Sequence, residues 1–214
     1  MLKNCFVLAM LIAIITLIVT GFASGTEDQT MGTDCVKTEC FEETAWAAQC
    51  KPGDHRFVDR GNWATYTKYN LGTGTESSPV RYPIYAGQTY RAGTLKVYDE
   101  TTYQSEGECG PGYYGTIYLR YKLSGSEPIY KNGYVGSWVG FNEYHLQVVD
   151  EAIDFNTVTT KKGNPIPGHF DYSKEYDPKT TDSGWIQVEV CGYQCDAYIA
   201  AHSVMEWCEY SKEV

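Results

Sequence analysis

The chain has little positive charge, little leucine and, beyond its first two dozen residues, no long apolar run. Lysine and arginine total 17 against 27 acidic residues, a formal net charge of -10; such a surface repels a phosphate backbone and argues against nucleic acid as a partner. Scarce leucine and the lack of any long helical stripe argue against a helical fold. No Gly-x-Ser-x-Gly elbow, His-Glu-x-x-His pair or phosphate loop occurs, so the strong nucleophile, zinc-hydrolase and nucleotide signatures are missing. The chain therefore reads as a non-enzyme. It also lacks any Asn-x-Ser/Thr sequon, which excludes that one route of glycan attachment.

What is present begins with residues 1–23. Lys3 is a minimal positive n-region, Phe6 to Val19 is apolar apart from Thr16, and Gly21-Phe22-Ala23 supplies small residues. This is the pattern of a cleaved secretory signal, too short to anchor the chain in a bilayer. The expected location is secreted, extracellular or cell-surface, with no membrane contact after cleavage. Loss of Lys3 takes the net charge from -10 to -11, because the segment holds no acid.

Seven cysteines then remain: Cys35, Cys40, Cys50, Cys109, Cys191, Cys195 and Cys208. An oxidising exterior favours disulfides, and an odd count leaves one thiol either buried or bonded to another chain. Connectivity is open. Cys35 with Cys40, and Cys191 with Cys195, are close enough for local loops.

Residues 24–40 are polar and read as a flexible leader, so the expected domain is a single unit over 41–214. Its 19 tyrosines and 21 glycines describe a β protein rich in turns. Thr116 to Leu123 alternates cleanly, with Ile117, Leu119, Tyr121 and Leu123 on one face. Trp185 to Cys191, the Leu95/Val97 run and the Tyr144/Leu146/Val148 run do likewise. Ala64 to Tyr69 is a further strand, and Tyr198 to Trp207 is apolar enough to lie centrally with both faces covered. Asn132-Gly133 marks a tight turn, residues 163–168 a Gly/Pro loop, and Glu106 to Gly115 a loop clipped by a disulfide at Cys109. The predicted architecture is an antiparallel β-sandwich, immunoglobulin-like or jelly-roll-like, stabilised by disulfides.

Candidate chemistry is sparse. Gly110-x-Gly112-x-x-Gly115 matches a dinucleotide fingerprint only formally, because it precedes a strand and contains Pro111. Of the four histidines, His55, His145, His169 and His202, none forms a local ligand pair; His145 and His202 sit in predicted strands and could meet across a sheet, where a structural role is the default. Acidic residues cluster at Asp99 and Glu100, at Asp150, Glu151 and Asp154, and at Asp171, Glu175, Asp177 and Asp182, and read as solvated loops. Asp150, Glu151 and Asp154 are weak calcium candidates, since calcium takes oxygen ligands from loops. No cofactor is otherwise implied.

Several phrases form a set: Glu43-Thr-Ala-Trp46, Arg60-Gly-Asn-Trp63-Ala-Thr-Tyr66, Tyr85-Ala-Gly-Gln88, Glu143-x-His145-Leu146-x-Val148, the run from Lys162 to Phe170, and Tyr198-Ile-Ala-Ala-His202. Together they resemble an uncharacterised extracellular β-sandwich domain of archaeal and bacterial secreted and surface proteins. The resemblance implies a fold and an exterior location, and no catalytic residue. In that domain the Glu-Thr-Ala-Trp and Asn-Trp-Ala-Thr-Tyr block follows the Ile-Ala-Ala-His strand; here it comes first. Either the chain is circularly permuted and residues 41–69 pair in cis, or the block fills a neighbouring subunit and the exchange propagates head-to-tail into a homopolymeric filament. The expectation for assembly names Trp46, Trp63 and Tyr66 as anchors and Cys35 and Cys40 as candidates for an interchain bond. The rival expectation is a monomeric module whose exposed Tyr and Trp stack on carbohydrate.

Overall fold

A computed structural model describes residues 39–123, 129–131 and 134–210. Residues 1–38, where a signal segment and a leader with Cys35 are expected, and residues 132–133, where a turn is expected, lie outside the described residues. Among the described residues ten strands run in chain order: β1 Glu39–Ala47, β2 Thr67–Asn70, β3 Val80–Ala86, β4 Tyr90–Gln104, β5 Gly112–Leu123, β6 Ile129–Lys131, β7 Tyr134–Val149, β8 Tyr172–Thr180, β9 Ile186–Tyr193 and β10 Asp196–Tyr210. Two short 3-10 helices, Ala152–Val158 and Pro167–His169, lie between β7 and β8. None of the described helices is long and apolar enough to cross a membrane.

Every strand pairing is antiparallel, and the strands hydrogen-bond as one sheet in the order β6-β7-β10-β1-β3-β4-β5-β9, with β2 also on β10 and β8 on β7. The fold is therefore all-β, antiparallel and disulfide-bonded. Rather than two separately bonded sheets, a single sheet curls until β5 and β7, five places apart in the order, face each other. Tyr121 spans that gap: its ring lies 5.2 Å from Tyr144 and 6.2 Å from Phe141, and its hydroxyl donates to the His145 carbonyl at 3.1 Å.

The core follows from period-two alternation. Ile117, Leu119 and Tyr121 of β5 and Ile186, Val188 and Val190 of β9 point into the curl, beside Leu95 and Val97 of β4. On β10, Ile199, Ala201 and Met205 face this main core, while Tyr198 and Ala200 face a second cluster on the outer side. That outer cluster, with Trp46, Ala64, Phe155, Val158 and Phe170, covers β10 with the 48–66 segment and the two short helices. Both faces of β10 are thus buried, as its unbroken apolar run requires. A bulge at Asn142 restores the pattern on β7: Val204 opposes Glu143 but Met205 opposes Phe141, so Phe141 returns to the core with 0% exposure.

Three expectations are corrected here. The leader does not extend to Cys40, because Glu39 and Cys40 already belong to β1. Asp99, Glu100, Glu175 and Asp177 are not loop residues; the first two lie on β4 and the others on β8, an exposed strand whose charges and Pro178 disguise it in sequence and suit it to a sheet margin. Ala64 to Tyr66 also precedes β2 rather than forming it, with only an isolated bridge from Thr65 to Arg56.

The fingerprint-like glycines have a packing explanation. Gly110 and Gly115 adopt positive φ, +93° and +138°, and a Cβ on Gly112 would sit 2.3 Å from the Gly192 carbonyl oxygen. Gly192 itself has φ +74°, with a Cβ position 2.7 Å from the Cys109 carbonyl oxygen. Gly192→Ala should therefore lower stability by about 1–3 kcal/mol through left-handed strain, read as a lower urea midpoint at unchanged slope; an unchanged midpoint would refute the strain assignment.

Candidate functional site

The first site is the slot that holds β1. Along one edge β1 pairs with β10 from Glu39↔Glu209 to Trp46↔His202, and along the other with β3 from Ala45↔Ala86 to Ala47↔Ile84. Ala45 and Ala47 are fully buried in the main core and Trp46, 5% exposed, points to the outer cluster. Small residues inward let the strand lie flat against the core, and the one large residue anchors it outside. Trp46 meets Phe57 at 6.0 Å, Phe170 at 6.2 Å and the His202 ring at 4.8 Å. Tyr66 contacts Phe57 and Phe155, each at 5.4 Å, and burial raises its hydroxyl pKa. Trp63 is half-buried at the margin of the same cluster. The three aromatic anchors named from sequence thus share one cluster.

At the start of β1, Cys40 lies opposite Cys208 and is bonded to it, with Cα atoms 4.0 Å apart. The other disulfide, Cys109–Cys191, ties the loop before β5 to β9, which is the clip expected of residues 106–115. Local pairing of Cys191 with Cys195 and of Cys40 with Cys35 is overturned: both Cys40 and Cys191 take partners distant in sequence. Strand register, which brings residues 168 and 82 positions apart together, decides this where spacing could not. Cys50 and Cys195 are free and exposed.

The calcium candidates are engaged with backbone donors. Asp150 accepts from the Gln194 amide at 2.9 Å, and Glu151 and Asp154 form a reciprocal capping box on the helix Ala152–Val158. Among the described residues they form no cluster of ligand atoms close enough for one ion.

A second site lies on the outer face where β7 meets β10. His145 and His202 are direct cross-strand partners, with ring centroids 5.7 Å apart. Glu143, two residues before His145, shares its face, and its Oε1 is 3.4 Å from His145 Nε2. His202 is 6% exposed. Burial, and to a lesser degree the neighbouring His145, lower its pKa to about 3, so the ring is neutral. The Nδ1 atoms of His145 and His202 are buried with no hydrogen-bond partner among the described residues. The meeting of these histidines was readable from two strand assignments; Glu143 stood in the sequence only as part of a phrase, although Glu-x-His on a strand places both side chains on one face.

A third feature is aromatic. On β4 and β5 the rings of Tyr98 and Tyr118 stack at 4.5 Å, with Trp185 edge-on to Tyr98 at 4.8 Å and Arg120 over Trp185 at 5.6 Å.

No protein-family model matches the chain, and neither a curated protein nor a solved structure matches it.

Proposed function

We propose that the protein is a secreted structural protein of the cell exterior, a subunit that assembles head-to-tail into filaments by exchange of the N-terminal block and is reinforced by disulfides. One observation carries this reading: β1 is paired on both edges and its first turn of contact is a covalent bond to β10. A strand held in such a slot makes the same contacts whether its own chain or a neighbour supplies it. In the exchanged form residues 41–69 sit in the next subunit, Trp46 and Tyr66 bury there, and Cys40–Cys208 becomes a bond between chains. The signal-like segment, the two disulfides and the resemblance to extracellular surface domains support the exterior location. The reading includes no catalysis.

The test is nonreducing electrophoresis of native material beside negative-stain imaging. The expected result is a ladder in single-subunit steps that collapses to one band on reduction, with filaments on the grid. A single monomeric band, with Cys40–Cys208 mapped within one chain, would overturn exchange and leave the in-cis sheet of a permuted monomer.

The alternative, a monomeric carbohydrate-binding module, is favoured by Tyr118 and Trp185, half-exposed rings packed on the buried Tyr98, whose remaining aromatic surface suits a sugar face. It requires glycans to change tryptophan fluorescence saturably, and a glycan panel without such a change removes it.

A further inference from the structure

We propose that Glu143, His145 and His202 form a binding site for a divalent transition-metal ion of the zinc class. The inference holds whichever chain supplies β1, because all three residues belong to β7 and β10. Each residue offers one ligand atom, and these atoms lie within 4.8 Å of one another. The Glu143–His145 separation of 3.4 Å already matches the spacing of about 3.3 Å between adjacent ligands on a tetrahedral ion with bonds of about 2.0–2.1 Å. The remaining ligand-atom separations, up to 4.8 Å, would close as the ion draws the side chains in.

Three independent features point to a ligand. Two imidazoles and one carboxylate are the donor set of three-ligand zinc sites that keep a fourth position open, and imidazole selects zinc, copper or nickel over calcium. The buried Nδ1 of His202 lacks any partner among the described residues, a costly state in a protein interior that an ion bound at that nitrogen relieves, whereas His145 faces Glu143 through Nε2. Further, Glu143 stands directly opposite Glu175 of β8, and like charges facing each other across strands are destabilising unless a cation lies between or beside them. Glu143 also lines an open cleft with Asn142, Glu175, Tyr176 and Asp177, so water can reach the fourth position.

The other metal-capable group among the described residues, Cys40, Glu206 and Cys208, is ruled out as long as its cysteines are bonded to each other. The proposed ion would staple β7 to β10 directly beneath Trp46 of β1, whose ring lies on His202. Metal binding and seating of β1 are then linked: an ion that orders His202 favours the seated strand, and the seated strand favours the ion.

The experiment uses the full secreted chain, stripped with chelator and titrated with ZnCl2 by calorimetry. A Cys50→Ser/Cys195→Ser variant removes the exposed thiols as competing ligands. One saturable equivalent is expected in both proteins, weakened about tenfold or more by Glu143→Gln and separately by His145→Gln, and unchanged by His55→Gln/His169→Gln. Absence of one-to-one binding, retention in either ligand variant, or loss in the thiol variant would overturn the site. Because a ligand variant could fail to fold, Co2+ loaded into the unaltered protein gives a second readout. Tetrahedral d–d bands without thiolate charge transfer are expected, and thiolate bands or none refute the assignment.

Discussion

Cys208→Ser is expected to lower the free energy of unfolding by about 2–5 kcal/mol, the range measured when native disulfides are removed. In a subunit whose β1 pairs in cis, the bridge joins residues 168 positions apart, and the chain-entropy account assigns about 5 kcal/mol to closing so long a loop, a contribution that vanishes where the bond links two chains. Local structure compounds the effect. The first four residues of β1 are exposed and only its last three are buried, so once the bond is gone the half-exposed Phe41 on Trp207, at 6.0 Å, is the main apolar contact of Glu39 to Glu42 with β10. Amide exchange in residues 39–43 should rise far more than in Ala45 to Ala47. Guanidinium unfolding under nonreducing conditions, compared with the wild type, measures the first quantity. A loss below about 1 kcal/mol, well under that range, would mean that the unfolded chain is already compact enough to hold these ends together, or that the bond is not formed.

Trp46→Ala should cost about 3–5 kcal/mol, as large-to-small changes at well-packed aromatic sites do. Among the ring contacts of the described residues, those of Trp46 reach the 48–66 segment through Phe57, the helix Pro167–His169 region through Phe170, and β10 through His202. Its removal opens a cavity that three separate elements would have to collapse together. The change also uncovers His202, so zinc affinity should fall with it if the ion and the seated strand are coupled as argued above. Trp63→Ala, at a half-buried position of the same cluster, provides the contrast and should cost less. Urea unfolding with near-ultraviolet dichroism separates the two; equal losses would show that the cluster is not centred on Trp46.

How much of this was legible depends on which residues carried the signal. β5 and β9 were readable because their alternation is uninterrupted: Ile117, Leu119 and Tyr121, then Ile186, Val188 and Val190, all reach the core on one face. β10 was readable for the opposite reason, an apolar run with no polar face, and it is indeed central. β8 was hidden, since Lys174, Glu175, Asp177 and Pro178 write the composition of a loop and only the edge of β7 supplies its partners. β3 was hidden by Pro83, which a central strand would not be expected to contain. For the site, the His145–His202 meeting followed from placing each on a strand. Register decided that they stand directly opposite and that Glu143 lies beside them.

The amino-acid order alone determined the class of the fold and the inward residues of its best strands, because alternation and composition are local properties that any stretch of chain displays. Tertiary structure alone decided that one sheet curls upon itself, that Cys40 meets Cys208 rather than a near neighbour, and that β1 lies in a slot lined by the last and third strands. Each of these rests on pairing between residues far apart in the chain. Hydrogen-bond register and shared burial select such pairings collectively, and no short segment records them.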